Sequence, residues 1–333
     1  MDKNNSAYHA SDLVEAVREE NIHDIYSLIK GGVSPTTIDF EGNTALVKAS
    51  IDGQLDILKI LLKAKNFDVD SLDGNGRNAL IVAVGNEHRD LVQVLIKHGA
   101  NPNVKDGDGR TPLCTATLME DTETVCVLLR NGANPNLVND LGQSAVVITI
   151  KNHDSETLSL ILSYGADINI RDASGHTPFI TAVRDNNLEI IPFLIKTGAN
   201  INAKDGLGQT PLITAITNKY SEIIDVLLEA GVDTNIRDGF GRTALISSII
   251  CGDIEITKRL IEKSADINAK DNLGHSALIV AIQKNCPDIV SFLLENNADP
   301  YIRDHKGRNT IEIAERHKAK AARDILLEYI EKM

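Results

Sequence analysis

Tryptophan is absent from this 333-residue chain, and aromatic residues make up only 4% of it. Any core must therefore be filled by aliphatic side chains and alanine. Long apolar runs are missing too. The longest, such as Ala79 to Val84, reach about six residues, against the roughly 18–20 that span a bilayer. Residues 1–10 are polar and lack the apolar centre of a secretion signal, so neither a leader nor a membrane span is expected. Cysteines are few, at 114, 126, 251 and 286, with no Cys-x-x-Cys pair and no zinc-like Cys/His spacing. They read as packing residues in a reducing compartment. Positive charge is also short: 34 Lys and Arg stand against 47 Asp and Glu, a net charge of −13. That balance argues against a nucleic-acid binder.

Repetition is what the sequence has in abundance. Stepping by 33 from Thr111 reaches Ser144, Thr177, Thr210, Thr243, Ser276 and Asn309. Stepping back reaches Asn78, then Thr44 after 34, then Ser11. All ten anchors can accept an N–H bond at a helix start. The next residue is Pro at 112, 178 and 211, where a first helical position tolerates it. Nine of the anchors have a Gly two residues earlier, from Gly42 to Gly307, suited to a tight turn. Asp or Asn stands five residues before, as at Asp106, Asn139 and Asp271, to start that turn. Seventeen residues after every anchor is Leu or Ile, from Leu28 to Leu326.

Each unit reads as turn, short helix, short helix, loop. The first helix carries a small residue at its fifth position, usually Ala (Ala49, Ala83, Ala116, Ala182, Ala215, Ala281), which permits close helix approach. The second ends at a Gly or Asn, such as Gly99, Gly132 or Asn297, a left-handed stop. Helices this short are marginal alone, so the units must stack on one another.

The pattern Asp-x-x-Gly-x-Thr-Pro-Leu, then Ala, then Leu-Leu-x-x-Gly-Ala-Asn-x-Asn, resembles the ankyrin repeat. The nearest copies span 106–136 and 205–235, and the resemblance covers residues from about 7 to the end. It implies an all-α, curved ankyrin-repeat solenoid of paired antiparallel helices joined by β-turn or hairpin fingers. The whole chain, 1–333, then reads as a single domain. A cap repeat at 7–38 precedes eight central repeats at 39–303, and a second cap repeat follows at 304–333. The sequence departs from the family in three places. His never follows the Leu of Thr-Pro-Leu, so aliphatic packing should replace its hydrogen bonds, at about 1–3 kcal/mol per buried side chain. The Gly between the two helices survives only as Gly53 and Gly252. One residue is inserted between Leu61 and Asp73, where Asn66 is expected to take a left-handed position.

No chemistry emerges from the pattern. The carboxylates recur as turn formers, the nine His share no metal spacing, and Cys114 falls in a buried column without an adjacent base. The Asp-Gly-Asp-Gly at 106–109 is a hairpin tip whose carboxylates repel phosphate. We expect no enzyme, no cofactor and no metal.

What remains is a surface. In ankyrin proteins the fingers and first helices line a concave face that seats protein partners. Six residues before the anchors stand Lys105, Arg171, Lys204, Arg237, Lys270 and Arg303; one before stand Arg77, Arg110, Arg242 and Arg308, with His176 and His275. These rows flank the Asp column, and their simplest role is to pair with it. The six-residue turns total zero net charge, from −2 in the first to +2 in the last. Leu141, Leu207, Phe240 and Leu273 fall at finger tips, a ladder with steps of roughly 10 Å. Leu118, Met119, Ile51 and Ile250 fall where first helices face the groove. Exposed apolar groups rimmed by Arg mark interaction sites, and Phe240 with Arg237, Arg242 and Ile250 is the chosen hot spot.

The first reading is therefore a non-catalytic protein-interaction adaptor. Its groove would take an acidic or mixed-charge partner, with no nucleic acid and no membrane span. A monomer is expected because both ends look capped. The alternatives are a sensor of a nucleotide or other small anion, and a structural spacer. The resemblance implies a cytoplasmic, intracellular working place, inside a host cell if the source is a host-associated bacterium.

Overall fold

A computed structural model describes residues 9–65 and 67–332. The expected left-handed Asn66 lies outside the described residues. The chain divides into two compact units, Met1–Ala173 and Ser174–Met333.

The first unit stacks five helix pairs: α1 (Ala10–Arg18) with α2 (Ile22–Lys30), α3 (Ala45–Ile51) with α4 (Leu55–Leu61), α5 (Ala79–Gly85) with α6 (Arg89–Lys97), α7 (Pro112–Leu118) with α8 (Thr122–Arg130), and α9 (Ala145–Lys151) with α10 (Ser155–Ser163). The second stacks α11 (Pro178–Arg184) with α12 (Ile191–Lys196), α13 (Pro211–Asn218) with α14 (Ser221–Glu229), α15 (Ala244–Ile250) with α16 (Ile254–Glu262), α17 (Ala277–Gln283) with α18 (Pro287–Glu295), and α19 (Thr310–Arg316) with α20 (Lys320–Lys332). In each unit the odd-numbered helices pack on one another in series. Among the described residues there is no strand, only isolated bridges such as Lys270 with Ser276.

The repeated columns become structural parts. In nine repeats the anchor caps its first helix: the Thr111 hydroxyl accepts from the Cys114 N–H at 3.1 Å, and the Asn78 side chain from Ile81 at 2.9 Å. Ser11 corrects the rule. Its helix begins earlier, at Ala10 behind His9, where the Asp12 carboxylate accepts the His9 N–H. Asp12, not Ser11, supplies the capping carboxylate there. In the last repeat Glu312 forms a reciprocal pair with Asn309: each side chain accepts the other's N–H at 2.9 Å.

The aliphatic column that replaces the family His is buried, from Val47 to Ile279, and so are the six alanines of the fifth position. The Leu and Ile column from Leu61 to Leu326 is completely buried. The left-handed residue between the paired helices is present in all ten repeats, although only two of them use Gly. Glu20, Glu87, Glu120, His153, Asn186, Lys219, Asn285 and Lys318 adopt φ of 52 to 61° there. Ser264 does likewise in the helix-stop column at φ 62°.

A polar staple runs along the loops. The Asn235 side chain accepts from the Asp266 N–H at 2.7 Å and donates to the Ser264 carbonyl at 3.3 Å. Asn103 makes the equivalent pair of bonds to Asn134 and Gly132. Each ties one repeat to the next.

Candidate interaction face

Every finger is built on its Asp or Asn. The Asp238 carboxylate accepts the N–H groups of Phe240 and Arg242, both at 2.8 Å, so the chain must fold back on itself. The Gly that follows the tip needs its positive φ and also its missing side chain. A Cβ on Gly142 would stand 2.3 Å from the Ala173 nitrogen, and one on Gly208 2.7 Å from the Gly239 nitrogen. Neighbouring fingers therefore meet backbone to backbone. The tip carbonyls of Leu207, Phe240 and Leu273 accept N–H bonds from the next finger at 3.1, 3.0 and 3.3 Å.

The two basic rows have different fates. In the row next to the anchor, Arg77, Arg110, Arg242 and Arg308 each clasp a buried carboxylate, Asp73, Asp106, Asp238 and Asp304, at 2.5–2.9 Å. Arg110 also reaches Asp108. Burial pushes Asp304 up, but the hydrogen bonds and charge of Arg308 outweigh it and hold the carboxyl at about 2. This row serves first as a counter-charge to the turn formers. In the outer row the Lys105 ammonium donates to the Val138 carbonyl at 2.8 Å and Lys270 to the Arg303 carbonyl at 3.0 Å. Arg171, Lys204 and Arg237 are exposed.

The expected tips are exposed: Leu141, Leu207, Phe240 and Leu273 keep 64–72% of their surface in solvent. In the first unit, Leu118 and Met119 are exposed at the end of the α7 helix. Ile51 and Ile250 are half-buried. In the second unit Phe240, Arg242, Ile250 and Leu273 come together around one open recess of about 450 Å³. The Arg242 guanidinium stacks 4.6 Å above the Phe240 ring. Arg237, the remaining member of the chosen hot spot, does not line this recess, and neither do Lys204, Leu207 or Lys270.

Sequence reasoning missed part of the recess. Val280, Gln283 and Lys284 line it beside His275 of the inner basic row. Gln283 and Lys284 lie seven and eight residues after anchor Ser276, the same helix-end column that holds Leu118, Met119 and Ile250. The column was the signal, but only its apolar members were singled out. Also missed were Ile38, Phe40 and Leu72, exposed at 49, 85 and 45% around the first two fingers. Among the described residues no three His, Cys, Asp or Glu gather to hold a metal, and no helix is long and apolar enough to cross a membrane.

A family model for tandem ankyrin repeats matches residues 13–106, 65–139, 100–172, 146–238 and 215–304. The human Notch-regulated ankyrin repeat-containing protein is 35% identical over 89 residues, covering 25% of this chain and 75% of its own length. The human transient receptor potential cation channel subfamily A member 1 is 29% identical over 87 residues, 26% of this chain and 8% of the channel subunit. Alpha-latrocrustotoxin-Lt1a of Latrodectus tredecimguttatus is 29% identical over 105 residues, 32% of this chain and 7% of the toxin. The chain thus spans less than a tenth of either larger relative. Among solved structures, the ankyrin repeat domain of Bcl-3, a member of the IkappaB protein family, superposes with a TM-score of 0.61 at 26% identity. That match covers 65% of this chain and 99% of the other.

Proposed function

The chain belongs to the ankyrin-repeat family, and from that premise we propose that it is a non-catalytic adaptor that seats a partner protein on its fingers and first helices. One observation carries this reading. Leu141, Leu207, Phe240 and Leu273 hold apolar tips in solvent on rigid, mutually bonded turns. A folded chain gains nothing by exposing them, whereas a partner that covers them gains apolar burial at little ordering cost to this side. The paired arginines beside them supply polar rims of the kind interfaces favour.

The small-anion alternative finds less support. A phosphate cradle needs free backbone N–H groups. In the fingers around the recess they already donate, to Asp238, Asp271, Leu207 and Phe240.

The test is affinity capture from cell lysate, comparing the native chain with Leu207→Glu, Arg237→Glu, Phe240→Ala. Arg242 stays in place, because removing it would strand the buried Asp238 carboxylate and disturb the finger. A protein held by the native chain and lost by the variant is the expected result. If both capture the same proteins, the finger face of the second unit is not the docking surface.

A further inference from the structure

The recess of the second unit has a chemistry that narrows what can occupy it. We infer that it takes an extended acidic segment of the partner: one apolar side chain seats between Phe240 and Leu273, and a neighbouring carboxylate pairs with Lys284. This inference rests on the adaptor reading above.

The aromatic wall of the recess is rigid. Phe240 is 65% exposed, and an exposed aromatic would ordinarily sample several rotamers. Here its face is covered by Arg242 at 4.6 Å. Arg242 in turn is clasped by Asp238 through Nε at 2.9 Å and Nη2 at 2.8 Å. Asp238 is buried and bonded to the backbone of its own turn. The ring is thus fixed by a chain of contacts that ends in the finger itself. A ligand docking on Phe240 finds the ordering already done.

The walls then divide by chemistry. Phe240, Leu273, Ile250 and Val280 make an apolar side, and about 450 Å³ of open volume admits one or two side chains but no folded element. The polar lining holds two cations, Arg242 and Lys284, and one carboxylate, Asp271, which is committed to the N–H groups of Leu273 and His275 in its own turn. Lys284 is exposed and makes no ion pair among the described residues, so its charge is unspent. Arg242 keeps part of its guanidinium in solvent even while paired. The fingers at 237–242, 270–275 and 303–308 carry net charges of +1, 0 and +2. The whole chain carries −13. A patch that is locally positive on a negative molecule attracts acidic segments. Phosphate is disfavoured because all four N–H groups of the turn Gly239 to Arg242 and of the turn Asn272 to His275 are already donated.

Random peptides displayed on phage would be selected on the full chain, and the enriched peptides remade with a fluorescent label. Their affinities would be read by fluorescence polarisation. The expected peptides place Leu, Ile or Phe beside Asp or Glu. Phe240→Ala and Lys284→Glu should each weaken them by roughly tenfold or more, while Tyr26→Ser on the outer helix α2 leaves them unchanged. Replacing the acidic residue of a peptide by Lys should restore its binding to Lys284→Glu. Neutral or basic peptides, or no enrichment, would overturn the inference. If binding ignores both recess variants but falls with Leu141→Glu in the first unit, the recess is wrong and the adaptor face stands. Indifference to all three of these variants would remove both. Circular dichroism of each variant separates lost binding from lost fold.

Discussion

Replacing side chains by glycine should stabilise this protein at particular places. The residue between paired helices is left-handed in every repeat, yet eight of the ten carry a side chain there. A left-handed L-residue sets its Cβ against the following carbonyl, at about 1–2 kcal/mol. Glycine escapes that cost but gives up about 0.4–1 kcal/mol in unfolded-chain entropy. The net gain is about 0.5–1 kcal/mol per site where the side chain does nothing else. Glu120, Lys219 and Lys318 meet that condition. Their side chains are exposed, and what holds them is backbone: their N–H groups donate to Thr117, Ile216 and Glu315 at 3.1–3.2 Å, bonds that glycine keeps. The three lie in separate repeats, so the gains should add to about 2 kcal/mol. Urea unfolding followed by far-UV circular dichroism is the assay, since the chain has no tryptophan to report. The triple variant should unfold at higher urea. Asn285→Gly should gain only a few tenths of a kcal/mol, because Asn tolerates this conformation. The reverse change discriminates further. Gly252→Lys meets open space and should cost about 1 kcal/mol. Gly53→Lys should cost more, since a Cβ there would stand 2.7 Å from the His88 ring. A lower midpoint for the triple variant, or an equal gain from Asn285→Gly, would refute the reasoning.

Other outcomes follow from the same contacts. Gly142→Ala should lower the thermal midpoint by more than Gly307→Ala, although both glycines have φ near 75°. Only the first would press a Cβ into backbone, at 2.3 Å. Asp304 is held at about 2, below an ordinary carboxyl near 3.9, so its contribution is complete above about pH 4 and lost as pH falls toward 2. Arg308→Gln should therefore flatten the acid unfolding curve in that window, read by circular dichroism against pH. Burial pushes the Cys114 thiol up, so at mildly alkaline pH a thiol reagent should modify it last, after Cys126, Cys251 and Cys286.

The parts of the fold that were legible are those whose physics acts over a few residues. An anchor hydroxyl caps an N–H three residues on, an Asp bonds the N–H two residues on, and a glycine takes a positive φ; all three were readable at Thr111, Asp106 and Gly109. Less legible was the left-handed column, because Glu120 and Lys219 carry no local mark of it; the packed helices on either side impose the conformation. The site was half legible. Leu141, Leu207, Phe240 and Leu273 follow from column counting alone. Lys284 and Gln283 did not, because a polar residue at a helix end looks like any solvated surface until a neighbouring finger is brought against it.

By itself the sequence determined the repeat, its register and its family, since each rests on short-range bonds and on a buried column that recurs with the same spacing. The tertiary structure alone decided where the charges and tips are placed and what each of them touches. It spent Arg77, Arg110, Arg242 and Arg308 on buried carboxylates, left Lys284 without an ion pair among the described residues, and laid Arg242 on Phe240. Coulomb attraction, stacking and hydrogen bonding depend on ångström separations between side chains. Such separations exist only once one repeat has been packed on the next.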